Sequence, residues 1–211
     1  MDCYEKECNI GTCIITISLI LLLLWNIGLT IAITIIGNNN DNNNTNNTDC
    51  YCVEQMRNTL QQIARLYPDN QLFITLDSGD AVIGTAGQIT LGPNGKSGLF
   101  ELENSQVDVT QLISICSIDT ITINDAIYNE EITYLPQPEP LATDCKADCE
   151  TTIREALPVG TVGASIVTNT QITSQGNVIV NEPGMIVLEN TERNNITFVS
   201  TCRIDVMYIP E

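Results

Sequence analysis

Cysteine is the residue type whose chemistry stands out in this sequence. The 211-residue chain has nine cysteines and no histidine. Without histidine, it lacks the commonest general base and the commonest zinc ligand. A cysteine content this high indicates disulfide bonds, a metal site or a redox role. An intracellular protein rarely carries so many cysteines without a metal site or a redox role.

An internal repeat relates several of these cysteines to one another. Residues 98–104 and 116–123 recur as residues 184–190 and 202–209, at a constant offset of 86 positions. A match of Met-Arg-x-x-Leu, at 56–60, with Ile-Arg-x-x-Leu, at 153–157, has an offset of 97. The chain therefore contains two copies of one β-rich unit. Copy two is about 11 residues shorter, and we expect the loss near 85–95, as a shorter hairpin.

Four cysteines occupy equivalent positions in the two copies, because Cys52 and Cys116 align with Cys149 and Cys202. Each copy thus has one thiol before its helix and one at the start of its last strand. By symmetry we expect Cys52 and Cys116, and likewise Cys149 and Cys202, to be joined by a disulfide or at least adjacent, with Cα atoms within about 7 Å. The alternatives are cross-links between subunits and four buried apolar thiols.

Two further disulfide candidates lie beside these pairs, Cys50 and Cys145, which can bridge to each other or to a neighbour. A zinc site is the rival interpretation, but neither Cys50-Tyr51-Cys52 nor the Cys145–Cys149 pair has Cys-x-x-Cys spacing, and no histidine completes a site. A thiol enzyme built on Cys50-Tyr51-Cys52 is a further hypothesis, and a normal thiol pKa there would argue against it.

The carboxylates form no recognisable catalytic pattern. Asp119 and Asp205 are equivalent, and we expect a turn or strand-edge role for them because neither has a base partner nearby in sequence. Asp77–Asp80 lacks the closing ligands of a calcium loop and is predicted to be a turn. No phosphate-binding glycine loop or nucleophile elbow is present. We therefore predict a non-enzymatic protein with no cofactor and no metal.

Charge limits the class of partner. Lys and Arg total 8 against 26 Asp and Glu, for a net charge of −18, and residues 49–211 alone carry −15. Such a surface repels phosphate backbones and anionic lipid heads. We therefore expect a protein partner or self-assembly, and do not expect nucleic-acid binding.

The chain has a distinct N-terminal organisation. After a tail at 1–11, residues 12–36 contain no charge, and 25 helical residues exceed the roughly 30 Å of a bilayer core. We predict a transmembrane helix there, with a buried helix or strand pair as the alternative. Lys6 precedes this segment and the next basic residue is Arg57, so the repeats are predicted to be extracytoplasmic. Residues 37–48 form an Asn-rich spacer.

Each repeat contains the elements that would position its cysteines. Apolar residues at 53, 56, 60, 63 and 66 predict an amphipathic helix that Pro68 ends. About five short strands follow, separated by turns such as 92–95. Pro158 and Gly160 shorten the second helix. We assign repeat one to 49–125, a stiff acidic Pro-rich linker to 126–144, and repeat two to 145–211.

The first repeat resembles Sm-like small barrels, and SH3-like barrels share the shape. A short helix precedes the pattern Leu-x-Ile-x-Leu-Asp-Ser-Gly-Asp-x-Val-x-Gly, formed here by Leu72, Ile74, Leu76, Asp77, Ser78, Gly79, Asp80, Val82 and Gly84. Ile118-x-x-Ile121-x-Ile123 is similar to the last strands of that fold. The family's basic Arg-Gly pair is replaced by Ser114-Ile115 and Ser200-Thr201, so its RNA binding is not carried over. Together with the apolar segment at 12–36, the resemblance predicts a mainly β protein: a transmembrane helix followed by two tandem small β-barrels, the first with a short N-terminal helix.

A second resemblance bears on function. The arrangement of Cys52, Met56-Arg57, the Ser78-Gly79 turn and Cys116-Ser117-Ile118 is similar to small cysteine-bearing coat proteins of Firmicute endospores. It covers the repeats only. Together with the apolar run, the spacer and the repeat, it leads to the hypothesis of a non-enzymatic structural protein of a membrane or spore surface. The alternative hypothesis is an intracellular Sm-like adaptor that binds protein or nucleic acid.

The first prediction concerns the membrane. The full chain should fractionate with membranes, and a variant that lacks residues 12–36 should not, because those residues alone are long and apolar enough to span a bilayer. Protease added to intact cells should digest residues 49–211 in the full chain. Complete protection of those residues would overturn the outward orientation.

Overall fold

The computed structural model describes residues 48–104, 109–138, 145–168, 173–190 and 192–210. The tail at 1–11, the apolar segment at 12–36 and nearly all of the Asn-rich spacer lie outside these residues. Within the described ranges, no helix combines the length and apolar character needed to cross a bilayer. Residues 46–211 form one compact unit that contains both repeats.

Each repeat consists of a helix, four strands, one turn of 3-10 helix and a fifth strand. The elements of repeat one are α1 (Thr48–Leu66), β1 (Leu72–Leu76), β2 (Ala81–Leu91), β3 (Gly98–Asn104), β4 (Val109–Ser114), η1 (Ile115–Ser117) and β5 (Ile118–Asn124). Those of repeat two are α2 (Cys145–Ala156), β6 (Ala164–Thr168), β7 (Thr173–Glu182), β8 (Met185–Asn190), β9 (Asn195–Ser200), η2 (Thr201–Arg203) and β10 (Ile204–Tyr208). The prediction of a mainly β protein is confirmed.

The two repeats share one antiparallel sheet of ten strands. Its order is β10-β6-β7-β8-β9-β5-β1-β2-β3-β4, so each repeat uses the internal order fifth, first, second, third, fourth. The repeats meet where β5 pairs with β9, with Thr120 opposite Val199 and Asn124 opposite Asn195. The fifth strand of repeat one therefore pairs with the fourth strand of repeat two.

The shorter second copy is explained by two deletions. In repeat one Thr90 pairs with Leu99, the equivalent of Met185, and eight residues lie between the two, including the further pair Leu91 and Gly98. In repeat two Glu182 pairs with Met185, which leaves only two residues. The predicted short hairpin is confirmed, but it accounts for six of the eleven residues. The other five are lost between the helix and the first strand, because β1 and β6 are related by an offset of 92.

The main hydrophobic core crosses the boundary between the repeats. The apolar face of α1 buries Met56, Leu60 and Ile63 against repeat-one strand residues and against Phe198 of β9, all 0–1% exposed. A smaller cluster around Leu157 and Ile166 lies within repeat two. At about 2 kcal/mol for each fully buried large side chain, the shared core stabilises the junction as well as repeat one.

The described part of the linker, residues 126–138, packs along α1. Gln62 Nε2 donates to the Thr133 carbonyl over 2.7 Å, and the Thr133 amide donates back to Gln62 Oε1 over 2.8 Å. Nearer the start of α1, the Leu135 amide donates to Gln55 Oε1, and the Tyr51 hydroxyl donates to the Leu135 carbonyl. Helix side chains thus replace a strand partner for this extended segment.

Two equivalent glycines allow the sheet to close tightly. A Cβ on Gly84 would lie 2.4 Å from the Glu103 carbonyl oxygen, and one on Gly176 would lie 2.6 Å from that of Glu189. Both are backbone contacts, which cannot move away as a flexible side chain can. Each repeat therefore requires glycine where its second strand crosses its third.

The second prediction follows from these contacts. Gly84→Ala should lower the free energy of unfolding by about 3 kcal/mol, because a methyl group must displace the Glu103 backbone. Gly92→Ala is the control, since the nearest atom to its Cβ is 3.3 Å away. Urea unfolding followed by circular dichroism measures both, and equal midpoints for the two variants would contradict the prediction.

Candidate functional site

A cleft of about 530 Å³ opens where both helices and both 3-10 turns meet. Five of the six cysteines in the described residues line it. Cys50 and Cys52 reach it from α1, Cys116 from η1, Cys149 from α2 and Cys202 from η2. We call it the cysteine cleft. The repeat brings the thiols together because each helix begins above the 3-10 turn that precedes its own fifth strand.

The disulfide in this cleft joins the two repeats. Cys52 is bonded to Cys202 with Cα atoms 6.2 Å apart, and Cys116 and Cys149 are free. The predicted pairs Cys52–Cys116 and Cys149–Cys202 are therefore wrong. The symmetry argument correctly predicted that equivalent cysteines occupy equivalent positions. However, the pairing of β5 with β9 brings a second 3-10 turn, η2, to the start of α1. The bond spans 150 positions of sequence, which corresponds to about 5 kcal/mol of stabilisation in the chain-entropy model.

The other thiols differ in their surroundings. Cys116, Cys145 and Cys149 are exposed, and the Cys116 sulfur lies 3.2 Å from Ser97 Oγ. Cys50 donates to Glu54 Oε1 over 3.5 Å. Burial, followed by that hydrogen bond and the Glu54 charge, raises the pKa of Cys50. This environment opposes the thiolate that a thiol enzyme on Cys50-Tyr51-Cys52 requires.

The candidate bridge between Cys50 and Cys145 is not formed, since both are free thiols. Within the described residues, no three side chains of His, Cys, Asp or Glu are grouped as a metal site would need. The sequence Asp77–Asp80 forms the β1–β2 turn, closed by Gly79 N–H donating to the Leu76 carbonyl.

Arg203 connects the repeats at the base of the cleft. From η2, its Nη2 donates to the Cys116 carbonyl over 2.6 Å. The same guanidinium lies 3.7 Å from Asp77 Oδ2 and 3.7 Å from Asp119 Oδ1. All three partners belong to repeat one. We did not single out Arg203 in the sequence, although it occupies the position of Ser117, one of the differences between the copies.

Asp119 is a buried member of this cluster, with no exposed surface on β5. The expected turn or strand-edge role is therefore wrong for Asp119, whereas its equivalent Asp205 is exposed on β10. Burial raises the pKa of Asp119 to about 6, and Arg203 and a hydrogen bond with Thr168 oppose that rise. Keeping Asp119 charged in this buried position is thus the electrostatic cost of its contact with Arg203.

Glu150 connects α2 to the rest of repeat two. It is nearly buried, and its Oε1 accepts from the Gly184 amide, the Thr201 hydroxyl and Arg154 Nε, over 2.9, 2.9 and 2.8 Å. Three donors at one carboxylate oxygen offset the cost of burying the charge. Its repeat-one equivalent is Val53, so this contact is specific to repeat two.

A second, polar cavity of about 250 Å³ lies over the β5–β9 junction. Thr122 and Thr197 face each other across the junction with hydroxyl oxygens 3.0 Å apart. Thr75 and Thr120 are paired in the same way at 2.8 Å. Because the two hydroxyls of each pair hydrogen-bond to each other, neither of these threonine pairs offers a ligand two unpartnered hydroxyls.

Comparisons with protein-family models, curated proteins and solved structures give no match to this chain. The functional assignment therefore depends on the geometry described above.

The third prediction concerns pH. The native state holds the Asp119 proton up to about pH 6, whereas an unfolded Asp releases it near 3.8. Stability should therefore decrease as pH rises from about 4 to about 6, by up to roughly 3 kcal/mol from this group. Asp119→Asn should remove that decrease, as measured by urea unfolding across the window. Asp205→Asn is the matched control in the equivalent, exposed position, and an unchanged slope in Asp119→Asn would contradict the assignment.

Proposed function

We propose that this chain is a non-enzymatic structural protein of a membrane or spore surface, whose copies assemble through the edges of their sheets. Each repeat acts as one Sm-like small-barrel unit, and residues 12–36 attach the chain to a membrane. The observation that carries this proposal is the pairing of β5 with β9.

That pairing is an interface between two copies of the same unit. It joins the fifth strand of one repeat to the fourth strand of the other, so the two surfaces are different and the contact is head-to-tail. A head-to-tail contact leaves an unused surface at each end, and repetition gives a ring or a filament. The unused surfaces here are β4 of repeat one and β10 of repeat two, the two edges of the sheet.

Both edges have the composition of a contact surface. On β4, Val109 and Leu112 are exposed, and the strand has no charged residue. At β10, Val206, Tyr208 and the following Ile209 are exposed. Proteins that remain monomeric usually protect edge strands with lysine, proline or inward charges. The edge strand β4 has no such charge and β10 has one, Asp205, among exposed apolar residues, which favours a second copy as the occupant.

The internal junction also specifies a register for the contact between copies. Thr120, Ile121 and Thr122 of β5 pair with Val199, Phe198 and Thr197 of β9. Moving each position by the repeat offset places Val206 opposite Ile113, Met207 opposite Leu112 and Tyr208 opposite Gln111 of the next copy. Antiparallel pairing then continues the sheet from copy to copy.

The remaining features are consistent with a surface structural role. The net charge of −15 over residues 49–211 disfavours nucleic acid and keeps an assembled surface hydrated. The disulfide Cys52–Cys202 is typical of an oxidising compartment, as expected for repeats outside the membrane.

The fourth prediction tests edge pairing. Leu112→Lys should weaken self-association of the full chain in detergent at least about tenfold, because it places a charge opposite Met207 in the proposed register. Val159→Lys is the control, since Val159 is exposed to 62% compared with 60% for Leu112 but belongs to the α2–β6 connection and to neither edge strand. Sedimentation velocity over a concentration series measures the oligomer. A wild-type chain that stays monomeric throughout, or equal association of both variants, would overturn the proposal.

A further inference from the structure

The internal disulfide has an equivalent pair of free thiols. Cys149 occupies in α2 the position of Cys52 in α1, and Cys116 occupies in η1 the position of Cys202 in η2. Both are exposed and both line the cysteine cleft. Of these two equivalent pairs of cysteines, one is therefore joined by a disulfide and the other consists of free thiols.

The used pair shows which elements a disulfide joins at a junction of repeats. At the junction of β5 with β9, repeat one supplies the fifth strand and repeat two supplies the fourth. The bond joins the helix of repeat one to the 3-10 turn of repeat two. At a junction between copies, β10 supplies the fifth strand and β4 of the next copy supplies the fourth. The equivalent bond would then join Cys149 of one copy to Cys116 of the next.

We propose that adjacent copies of this chain are cross-linked by a disulfide between Cys149 and Cys116, an inference that rests on the edge pairing proposed above. The two thiols each lose a proton and together lose two electrons as the S–S bond forms. A small-molecule disulfide such as oxidised glutathione accepts both electrons through two exchange steps and leaves as two thiols. The product is a chain of copies in which internal and intermolecular disulfides alternate.

The other cysteines of the described residues do not fit this pattern. Cys50 is equivalent to Ala147, and Cys145 is equivalent to Thr48, so neither has a counterpart in the other repeat. The same-repeat partners first predicted for Cys116 and Cys149 are Cys52 and Cys202, which are already bonded to each other. An equivalent partner for Cys116 or Cys149 therefore exists only in another copy.

The junction between copies lacks the charged contacts that Arg203 makes with Asp77 and Asp119 at the internal junction. Arg203 of η2 lies beside Asp119 at the internal junction. At the outer junction Ser117 replaces the arginine and Asp205 replaces the aspartate. Ser117→Arg would therefore restore the missing ion pair, and it should strengthen association of the copies without any thiol chemistry.

The fifth prediction uses the full chain with Cys3, Cys8, Cys13, Cys50 and Cys145 replaced by serine, which retains the four equivalent cysteines. Oxidised glutathione should convert this background protein into a ladder of cross-linked species on a non-reducing gel. Cys116→Ser and Cys149→Ser should each run as a monomer on the same gel, because neither variant alone retains both thiols. Their equimolar mixture should form a dimer and no larger species, because each variant supplies one of the two thiols. Mass spectrometry should identify the peptide that joins Cys149 to Cys116, and retention of Cys52–Cys202 serves as the check on folding.

The variant that lacks both Cys116 and Cys149 separates this inference from the proposed edge pairing. If it associates in sedimentation, Ser117→Arg strengthens that association, and the mixture still forms no cross-link, the disulfide is overturned and edge pairing stands. If it stays monomeric and the mixture forms no cross-link, both are overturned. A bond between Cys116 and Cys149 within one chain, or between two Cys116 residues, would also overturn the inference.

Discussion

Pairing of β5 with β9 is the interaction on which the rest of this structure depends. It converts two five-stranded units into one sheet of ten strands and places Phe198 of repeat two in the same buried cluster as the apolar face of α1. Because the backbone hydrogen bonds and the apolar core are both shared, neither repeat can separate without exposing the other's interior. The disulfide and Arg203 are placed by this pairing and then reinforce it.

The two repeats have diverged at positions around the cysteine cleft. Arg203 contacts three groups of repeat one, whereas its equivalent Ser117 has no such reach. Glu150 accepts three hydrogen bonds within repeat two, whereas its equivalent Val53 packs against the main core. These differences give the two repeats different contacts, although they share one fold.

The shared helix α1 performs two tasks with two faces. One face, with Met56, Leu60 and Ile63, is buried in the core. The other, with Gln55 and Gln62, binds the backbone of the segment that connects the repeats. Fixing that connection shortens the effective path between the repeats and lowers the entropy lost when β9 meets β5. The linker is thus part of the junction and is more than a spacer.

Much of the fold could be predicted from the sequence. The constant offset of 86 residues predicted two equivalent units, the helical spacing in 53–66 predicted α1, and Pro158 predicted the end of the second helix. These are local properties, set by periodicity, turn chemistry and backbone geometry. Gly84 and the shorter second hairpin also left local signals.

The contacts between the equivalent units were decided only by the tertiary structure. The sequence placed Cys52 opposite a cysteine at the start of a fifth strand, but it could not distinguish Cys116 from Cys202. That choice depends on β5 pairing with β9, a contact between residues about 75 positions apart that no local pattern encodes. The burial of Asp119, the reach of Arg203 and the packing of the linker follow from the same contact. A repeat fixes which residues are equivalent, whereas the long-range pairing of strands determines which neighbour each of them meets.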